Sequence, residues 1–382
     1  MKTRLLFVIT QFYKGGAETA LLQLFHSLPP EKYDVDFLVL NDQPLASGQQ
    51  SLLAQVPAWV RVHNFMQAER QRGALVRAWH NTPGQHRRAA AMLREGGYAW
   101  AFQVGEWSSP AFVARRVQAA HKAAWIHADL DKAPYFRGKQ YFKWDSAFTC
   151  YLFVSEDSRK SSEAAWPALR GKSRCVHNVV DAATVRQFAA AGLQPEDEAF
   201  FARGLPVVFT CANVRPEKNH LRQVQAMALL KQRGVDFLWL NAGILQENGQ
   251  LAHQLRTAIR AAGLEDRCFM LGARENPYSM MQKAEALTVF SDSESWSMVI
   301  TEALALGKPV LATRTSGALA QIAEGVDGLL CDFTAEAIAD TLERFLADAT
   351  LRGRLAAGAA ARSGQLPAGL VEFEALIAER EA

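Results

Sequence analysis

The sequence predicts an α/β protein that contains two doubly wound parallel-sheet domains. The chain has 382 residues, which is enough for two cores of ordinary size. In both halves, short apolar segments alternate with segments of helical periodicity. Strands that are buried on both faces read as continuous apolar runs, so this alternation indicates parallel sheets covered by helices.

We expect the first half, residues 1–180, to form one domain. Its predicted strands are Leu5–Ile9, Val35–Leu40, Val60–His63, Ala101–Val104, Ala123–Ile126 and Leu152–Val154. Its predicted helices are Ala17–Ser27, Gln67–Trp79, Gln85–Arg94, Ser109–Ala120 and Gln140–Ser146. The polar residues 181–204, which include Pro195-Glu-Asp-Glu, are predicted to be a linker.

The second half repeats this plan, and residues 205–360 are expected to form a second domain. Its predicted strands are Val207–Cys211, Phe237–Asn241, Cys268–Leu271, Leu287–Phe290 and Val310–Ala312. Its predicted helices are His220–Arg233, Leu251–Ala262, Pro277–Lys283, Val299–Leu306, Ala318–Ala323 and Ala335–Leu346. Residues 361–382 are predicted to be a helical tail that packs back on the first domain. Ligands of such sheets bind at the carboxyl ends of the strands.

Composition narrows the class of protein. Hydrophobic residues make up 49% and charged residues 21% of the chain, which is typical of a globular protein. No apolar run reaches 18 residues, and Leu5–Ile9 is too short for a signal peptide, so we expect no membrane span. The five cysteines are scattered and lack C-x2-C spacing, which favours reduced thiols in the cytoplasm over disulfides or a zinc site.

Charge is distributed unevenly along the chain. Residues 1–180 contain 23 basic and 14 acidic residues, whereas residues 181–382 contain 19 and 25. The basic half includes Arg61, Arg70, Arg72, Arg77, Arg87, Arg88 and Arg94, interleaved with Trp59, Phe65, Met66, Trp79 and Trp100. This pattern fits a surface that attracts anionic lipid or a pyrophosphate-linked acceptor, and it fits equally a solvated helical face. No nucleic-acid-binding motif accompanies it, so we expect no nucleic-acid partner.

The most informative segment joins the strand that ends at Phe290 to the next helix. Glu294 lies in the polar turn Ser291–Ser297, and Glu302 follows eight positions later in the helix. The free N–H groups of a helix N-terminus favour an anion such as a diphosphate, and carboxylates accept hydrogen bonds from sugar hydroxyls. The helix dipole also favours acidic residues near the start of any helix, so Glu302 alone is weak evidence for a binding site. Together, the turn and its carboxylates predict a nucleotide-sugar site.

Three segments together closely resemble the retaining glycosyltransferases of family 4, which have the GT-B fold. They are residues 271–281, 290–297 and 307–313, and the family's E-x7-E signature is Glu294 and Glu302. The resemblance covers residues 205–332 well and the first half more thinly. It implies two Rossmann-like domains that face each other across a cleft, and transfer of a sugar from a nucleoside diphosphate sugar, most often UDP-linked.

The resemblance also implies roles for residues around the signature. Glu302 is expected to bind the ribose and Glu294 the donor sugar. Amides of Ser297, Met298 and Val299 are expected to hold the diphosphate. The implied acceptor is a hydroxyl of a growing glycan or lipid-linked glycan, as in capsule, lipopolysaccharide or exopolysaccharide assembly, with peripheral contact to an anionic membrane as one expectation.

Two glycine-containing loops are further candidates for donor binding. Gly15 and Gly16 follow the first strand and let the backbone approach a ligand at a helix N-terminus. They do not form a G-x-G-x-x-G pattern, so a nicotinamide cofactor gains little support. In similar enzymes this loop faces the donor phosphates and the acceptor. The loop from Gly272 through Arg274 and Asn276 packs against the nucleotide base in those enzymes.

The loop after Val207–Cys211 contains a departure from the family pattern. Lys218 can place an ammonium on the diphosphate and stabilise the charge that grows as the glycosidic bond breaks. Similar enzymes have an arginine five positions earlier, where this chain has Asn213, and an arginine stands instead at Arg215. Either Arg215 substitutes for the missing arginine, or leaving-group stabilisation depends mainly on Lys218.

His127 and Asp129 follow a strand of the first half. His127 occupies the place of a histidine near the donor sugar in similar enzymes, although a single histidine is more often a packing residue. Asp129 is a candidate for contact with the acceptor and for its general base. The triplets Asp34-Val-Asp36 and Asp129-Leu-Asp131 do not adjoin a diphosphate site, and Asp34 and Asp36 are expected on one exposed face. We therefore expect no metal and no cofactor, with counter-charge from Lys218 and a helix N-terminus.

These observations predict a retaining glycosyltransferase that acts by front-face displacement. No residue stands out as a covalent nucleophile. The alternatives are a GT-B epimerase or phosphorylase, and a nucleotide-sugar-binding or scaffold protein that has lost catalysis, which Asn213 alone suggests.

Overall fold

The structure is a computed structural model that describes residues 2–43, 51–72, 79–94, 97–131, 133, 136–246, 249–364 and 369–379. Arg77 and most of the predicted helix Gln67–Trp79 beyond its first residues lie outside the described residues. The chain divides into two compact units. Unit 1 is Met1–Val179 with Ala368–Ala382, and unit 2 is Val180–Pro367.

Unit 1 is built on a parallel sheet of seven strands. The strands are β1 (Thr3–Ile9), β2 (Tyr33–Val39), β3 (Arg61–Asn64), β4 (Tyr98–Val104), β5 (Ala119–Ile126), β6 (Cys150–Phe153) and β7 (Ser173–Cys175). Their order is β3-β2-β1-β4-β5-β6-β7, so the direction of winding reverses between β1 and β4. The carboxyl ends of these two strands are therefore where a ligand crevice is expected.

Helices connect the strands of unit 1. They are α1 (Gly16–Ser27), α2 (Phe65–Gln71), α3 (Pro83–Ala90), α4 (Ala111–Arg116), α5 (Gly138–Tyr141) and α6 (Glu156–Ala165), with 3-10 turns at Leu53–Gln55, Phe142–Ala147 and Pro167–Leu169. The predicted helix Ser109–Ala120 is shorter than expected, because its last two residues already belong to β5.

Unit 2 is built on a parallel sheet of six strands. They are β8 (Val207–Cys211), β9 (Leu238–Ala242), β10 (Cys268–Met270), β11 (Ala286–Val289), β12 (Val310–Thr313) and β13 (Gly328–Cys331). Their order is β10-β9-β8-β11-β12-β13, which reverses between β8 and β11. Alternate residues of one strand enter opposite cores: Phe209 belongs to one apolar cluster and Val208 to the other. Burial of both faces explains why these strands read as apolar runs.

Helices cover the sheet of unit 2. They are α7 (Ala182–Ala189), α8 (Pro195–Phe201), α9 (His220–Gln232), α10 (Gln250–Ala261), α11 (Tyr278–Lys283), α12 (Met298–Ala305), α13 (Ser316–Gln321), α14 (Ala335–Ala347) and α15 (Ala349–Arg362), with a 3-10 turn at Pro216–Lys218. The prediction of two doubly wound parallel sheets is confirmed.

The segment 181–204 differs from the predicted linker, because it contains α7 and α8 and is part of unit 2. Val185 and Ala189 of α7 are buried in the core of unit 2, while the other positions of this short helix are polar or exposed. A narrow apolar stripe of this kind is easily missed when a segment is assessed by its overall polarity. The short strands β7 and β13 were also not predicted.

The last helix, α16 (Gly369–Ala378), is grouped with unit 1, whereas α15 ends at Arg362 within unit 2. Phe373 of α16 is completely buried, and its ring stacks on Trp125 with a centroid separation of 5.9 Å. The Glu372 carboxylate accepts hydrogen bonds from the His177 backbone N–H at 2.8 Å and from its Nδ1 at 2.9 Å. The helix is thus anchored by a core contact and a polar one.

The basic half combines buried apolar side chains with arginines whose side chains stay about half exposed, such as Arg61 (48%) and Arg70 (49%). Phe65, Met66 and Trp100 are fully buried in the core. The described arginines mostly form ion pairs: Arg61 with Asp36, Arg70 with Asp42, Arg72 and Arg88 with Glu69, and Arg94 with Asp34 and Asp36. Within the described residues, no helix has both the length and the apolar character needed to cross a membrane.

The expectation that Asp36 is exposed was wrong. Asp36 is completely buried and accepts hydrogen bonds from His63 at 2.8 Å, Arg94 at 2.6 Å and Tyr98 at 2.9 Å. Burial alone would raise the pKa of Asp36, but these hydrogen bonds outweigh burial and lower the pKa to about 2. The first D-x-D triplet is therefore part of an ionic cluster inside unit 1.

Replacing Phe373 with alanine should lower the free energy of unfolding of unit 1 by roughly 3–5 kcal/mol, because it leaves a cavity in the core. Urea denaturation followed by tryptophan fluorescence measures this loss, since seven of the nine tryptophans precede residue 180. Val371→Ala in the same helix is the matched control, because Val371 is 63% exposed. Equal stability of the two variants would show that α16 is not part of the core of unit 1.

Candidate functional site

Two loops of unit 2 meet at the point where its sheet reverses direction. Residues 212–219 follow β8, and residues 290–297, the carboxylate turn, follow the neighbouring β11. The backbone N–H of Asp292 donates to the carbonyl of Glu217 at 2.8 Å, which joins the loops directly. A pocket between them is lined by Lys218, Ser291, Glu294, Ser297 and Val299, among others. This is the position at which doubly wound sheets bind ligands.

Lys218 and Glu294 form an ion pair inside this pocket. The Ser291 hydroxyl also donates to Glu294 Oε1 at 2.7 Å, and the carboxylate side chain is only 11% exposed. Gln223 of α9 holds the other end of the arrangement, since its Nε2 donates to the Lys218 carbonyl at 2.8 Å. The pocket therefore contains the Lys218 ammonium, which is paired with the Glu294 carboxylate. In this geometry an anionic ligand can take the place of that carboxylate.

The N-terminus of α12 supplies the anion-binding amides of the site. Ser297 is the N-cap, but its own N–H donates to Gln321 Oε1 at 2.8 Å. Of the three amides expected to hold a diphosphate, the one from Ser297 is thus used by the protein. Met298 and Val299 are the first helical residues, whose N–H groups have no partner within the helix.

Glu302 lies one turn further along α12 and is 5% exposed. The hydroxyl of Tyr278 in α11 donates to Glu302 Oε1 at 2.9 Å. Burial, and then the charge of Glu302, raise the pKa of Tyr278, so the phenol remains a donor. Glu302 is therefore oriented by a neighbouring helix.

Asn213 has a structural partner in the described protein. Its Oδ1 accepts a hydrogen bond from the Ile244 backbone N–H at 2.8 Å, which ties the loop after β8 to the loop after β9. The two loops approach so closely that a Cβ on Gly243 would lie 1.9 Å from the Ala212 carbonyl oxygen. Arg215 is exposed at the start of the 3-10 turn. Asn213, which stands at the family's arginine position, thus holds the loops after β8 and β9 together.

The loop at 272–278 also uses its side chains internally. The Arg274 guanidinium bonds to the carboxylate of Asp197, which is 2% exposed, at 2.9–3.1 Å. Asn276 Nδ2 donates to the Phe188 carbonyl at 2.8 Å. These contacts hold the loop against α7 and α8, so the two side chains are not presented to a ligand as expected. Gly272 has φ of +72° and open space around it, so its backbone remains a candidate.

In unit 1, Gly15 and Gly16 lie at the carboxyl end of β1, beside the reversal point. Gly15 is the N-cap of α1, and an added Cβ on Gly16 would meet no atom within 4 Å. Trp107, in the loop after β4, is 39% exposed. An added Cβ on Gly15 would lie 2.5 Å from the Glu18 carboxylate, so only Gly16 of the pair has open space around its backbone at the helix N-terminus.

His127 follows β5, and its backbone N–H donates to Glu106 Oε2 at 2.9 Å. Both ring nitrogens are buried and have no hydrogen-bond partner among the described residues. Burial lowers the pKa of His127 to about 3, so the imidazole is neutral at pH 7. Asp129, two residues further on, is 3% exposed.

Several residues around the sites were not predicted, namely Gln321, Tyr278, Ser291 and Glu106. Tyr278 and Ser291 lie in segments that carry the family resemblance, whereas Glu106 and Gln321 belong to no recognisable motif, although Gln321 is a buried polar residue at the end of α13. No group of three or more His, Cys, Asp or Glu side chains that could hold a metal ion occurs among the residues that the structure describes. All five cysteines are free thiols.

Comparison with known proteins gives a matching family model and several relatives. Residues 196–362 match the family model of Glycosyl transferases group 1. EpsF of Bacillus subtilis (strain 168), classed as a glycosyltransferase, is 25% identical over 327 residues, which cover 81% of this chain and 78% of EpsF. The lipopolysaccharide core biosynthesis glycosyltransferase LpsE of Rhizobium meliloti (strain 1021) is 32% identical over 152 residues, or 40% of this chain and 42% of LpsE.

Solved structures share the fold along almost the whole chain. Anabaena Alr3699/HepE, in complex with UDP and glucose, has a TM-score of 0.74 with 18% identity and 98% coverage of both chains. Sucrose-phosphate synthase from Thermosynechococcus elongatus has a TM-score of 0.76 with 16% identity and 99% coverage of both chains. The protein therefore has the two-domain Rossmann-like GT-B fold. The family match and these relatives show that residues 196–362 are similar to the group 1 glycosyltransferases.

Arg274→Ala should destabilise unit 2 by roughly 3–5 kcal/mol, because it leaves the buried Asp197 carboxylate without its partner. Calorimetric unfolding measures the effect. Arg233→Ala is the control, because Arg233 pairs with Asp340 and Glu343, which are 66% and 41% exposed, and loss of an exposed pair should change stability little. If Arg274→Ala instead abolished nucleotide binding and left the stability of unit 2 unchanged, Arg274 would be a ligand-binding residue.

The buried neutral His127 should make unit 1 less stable as pH falls. Its folded pKa lies below the usual 6.5, so between about pH 6.5 and the folded value the unfolded chain binds a proton that the folded chain does not. This contribution decreases by about 1.4 kcal/mol per pH unit. Urea denaturation at pH 7, 6 and 5 should therefore give a shallower decline for His127→Gln than for the wild type. Parallel profiles would contradict a neutral, buried imidazole.

Proposed function

We propose that the chain is a retaining hexosyltransferase that moves a sugar from a UDP-linked donor to a hydroxyl of a glycan or lipid-linked glycan. The observation that carries this proposal is the pocket of unit 2. There, the ammonium of Lys218, the carboxylate of Glu294 and the start of α12 meet at the reversal point of a parallel sheet. A cation and helix amides suit a diphosphate, and a carboxylate suits hydroxyls.

In this proposal the donor rearranges an existing ion pair. The diphosphate takes Lys218 Nζ and the N–H groups of Met298 and Val299. Glu294, released from Lys218, accepts hydrogen bonds from hydroxyls of the donor sugar, and Glu302 accepts them from the ribose. His127 acts as a neutral donor or acceptor toward the sugar, which its low pKa supports. Backbone at Gly15, Gly16 and Gly272 approaches the donor.

The proposed reaction is a front-face displacement. The bond between the anomeric carbon and the diphosphate oxygen breaks, and an oxocarbenium-like carbon forms. The acceptor hydroxyl attacks from the leaving-group side, and its proton passes to the departing diphosphate oxygen. Lys218 stabilises the charge that develops there. We assign no general base, because the departing diphosphate oxygen takes the acceptor's proton, and the cationic pocket supplies the counter-charge without a metal ion.

Related proteins support the choice of donor and acceptor. The complex of HepE with UDP-glucose shows that a protein of this fold binds such a donor. A Campylobacter jejuni relative, 27% identical over 183 residues and covering 47% of this chain and 46% of that protein, is named as a transferase acting on a diphospho-undecaprenol-linked sugar. We propose a cytoplasmic enzyme that meets an anionic membrane only through such an acceptor, since five of the six described arginines between residues 61 and 94 are ion-paired.

The direct test is calorimetric titration with UDP, GDP and ADP in EDTA. We expect UDP to bind without metal and Glu302→Gln to weaken its binding about tenfold, because the carboxylate accepts charge-assisted hydrogen bonds from the ribose. Glu336→Gln, an exposed acid in the first turn of α14, is the control. Unchanged affinity in Glu302→Gln would exclude the ribose role, and no binding of any nucleotide would exclude a nucleotide-sugar site.

Lys218→Ala should lower turnover of the bound donor by roughly a hundredfold, the typical value of one preorganised contact to developing charge. Release of UDP from UDP-glucose measures it, with Lys231→Ala on α9 as the control. Turnover above about a tenth of wild type would contradict the leaving-group role.

Asn213 stands at the position of the family's arginine and accepts a hydrogen bond from the Ile244 N–H. This departure favours the alternative of a nucleotide-sugar-binding protein that has lost catalysis. Nucleotide binding without turnover in the wild type would support that alternative.

A further inference from the structure

Helix α13 packs directly against the carboxylate turn. At its start, the Gly317 N–H donates to the carbonyl of Glu294 at 2.7 Å, and the Ser316 hydroxyl donates to the same oxygen at 3.0 Å. A Cβ on Gly317 would lie 2.8 Å from that oxygen, so only glycine permits the approach. One end of the turn is thus held by the first residues of α13.

Gln321, at the end of α13, holds the other end of the turn. Its Oε1 accepts from the Ser297 N–H at 2.8 Å, and its Nε2 donates to the Ser297 carbonyl at 2.8 Å. The same Nε2 donates to the Thr301 hydroxyl at 2.8 Å. Both Gln321 and Ser297 are at least nine-tenths buried, with exposures of 4% and 5%.

Only a carboxamide can make this set of contacts. Glutamate would accept from the Ser297 N–H, but it has no donor for the Ser297 carbonyl or for Thr301. An apolar side chain would leave the buried N–H and carbonyl of Ser297 without partners, which is costly away from water. The side chain therefore fixes the N-cap peptide, and with it the direction of the Met298 and Val299 amides.

We propose that Gln321 is a positioning residue that sets the carboxylate turn and the start of α12 for diphosphate binding. This inference rests on the proposed nucleotide-sugar site. Gln321 does not touch the ligand, because its amide is used on Ser297 and Thr301. Gln321 accepts the hydrogen bond of the Ser297 N–H, so the N–H groups that can bind an anion begin at Met298. Gln321 also holds the Ser297 carbonyl and so prevents rotation of the peptide that precedes Met298.

The test measures UDP affinity and hydrogen exchange of residues 291–303 in the full-length protein. Gln321→Met and Gln321→Glu should bind UDP at least about tenfold more weakly and exchange faster in this segment. Thr301→Val, which removes one of the three hydrogen bonds, should have a smaller effect of the same sign. Thr334→Ala, which removes the N-cap of α14, is the control for general destabilisation of unit 2 and should leave both readouts unchanged.

The outcomes separate this inference from the proposed function. Weaker UDP binding and faster exchange in the Gln321 variants, but not in Thr334→Ala, would establish the positioning role. Wild-type UDP affinity and wild-type exchange in the Gln321 variants would overturn it, while leaving the nucleotide site intact. If the wild type binds no nucleotide, the proposed function fails and the diphosphate role of Gln321 fails with it. Faster hydrogen exchange of residues 291–303 in the Gln321 variants would then show only that Gln321 holds the carboxylate turn in place.

Discussion

The adjacency of β8 and β11 is the constraint on which the candidate site depends. Because these parallel strands are neighbours and their following helices lie on opposite sides of the sheet, the loops after them meet at one edge. The Lys218–Glu294 ion pair joins those loops, and the Asp292–Glu217 backbone contact does so again. The ammonium, the carboxylate and the helix amides come from residues up to 81 positions apart, and only the strand order brings them together.

The sequence was informative where one short segment carries its own chemistry. Glu294, Glu302 and the start of α12 lie within a single strand–turn–helix, so their spacing already implies an anion site flanked by carboxylates. Lys218 was predictable for a similar reason, because it follows an apolar strand. The alternation of apolar and helical segments was sufficient to predict two doubly wound parallel sheets, whereas the strand order that brings both loops to one pocket is known only from the structure.

The sequence was least informative where a polar side chain has a distant partner. Asn213, Arg274 and Asn276 look like ligand-binding residues by position, but their partners are Ile244, Asp197 and Phe188. Asp36 looked like an exposed carboxylate, yet Arg94, 58 positions later, makes its burial possible. Without knowledge of these partners, a residue that makes a buried structural hydrogen bond and a residue that contacts a ligand show the same sequence pattern. The helices of 181–204 were missed because their apolar stripe is narrow.

The central claim is that Lys218 exchanges its carboxylate partner for a diphosphate. A crystal structure of the wild-type protein with UDP tests this most directly. The diphosphate should lie at the start of α12, within hydrogen-bonding distance of Lys218 Nζ and the N–H groups of Met298 and Val299. A nucleotide bound elsewhere, with the pocket empty and the Lys218–Glu294 pair intact, would contradict it.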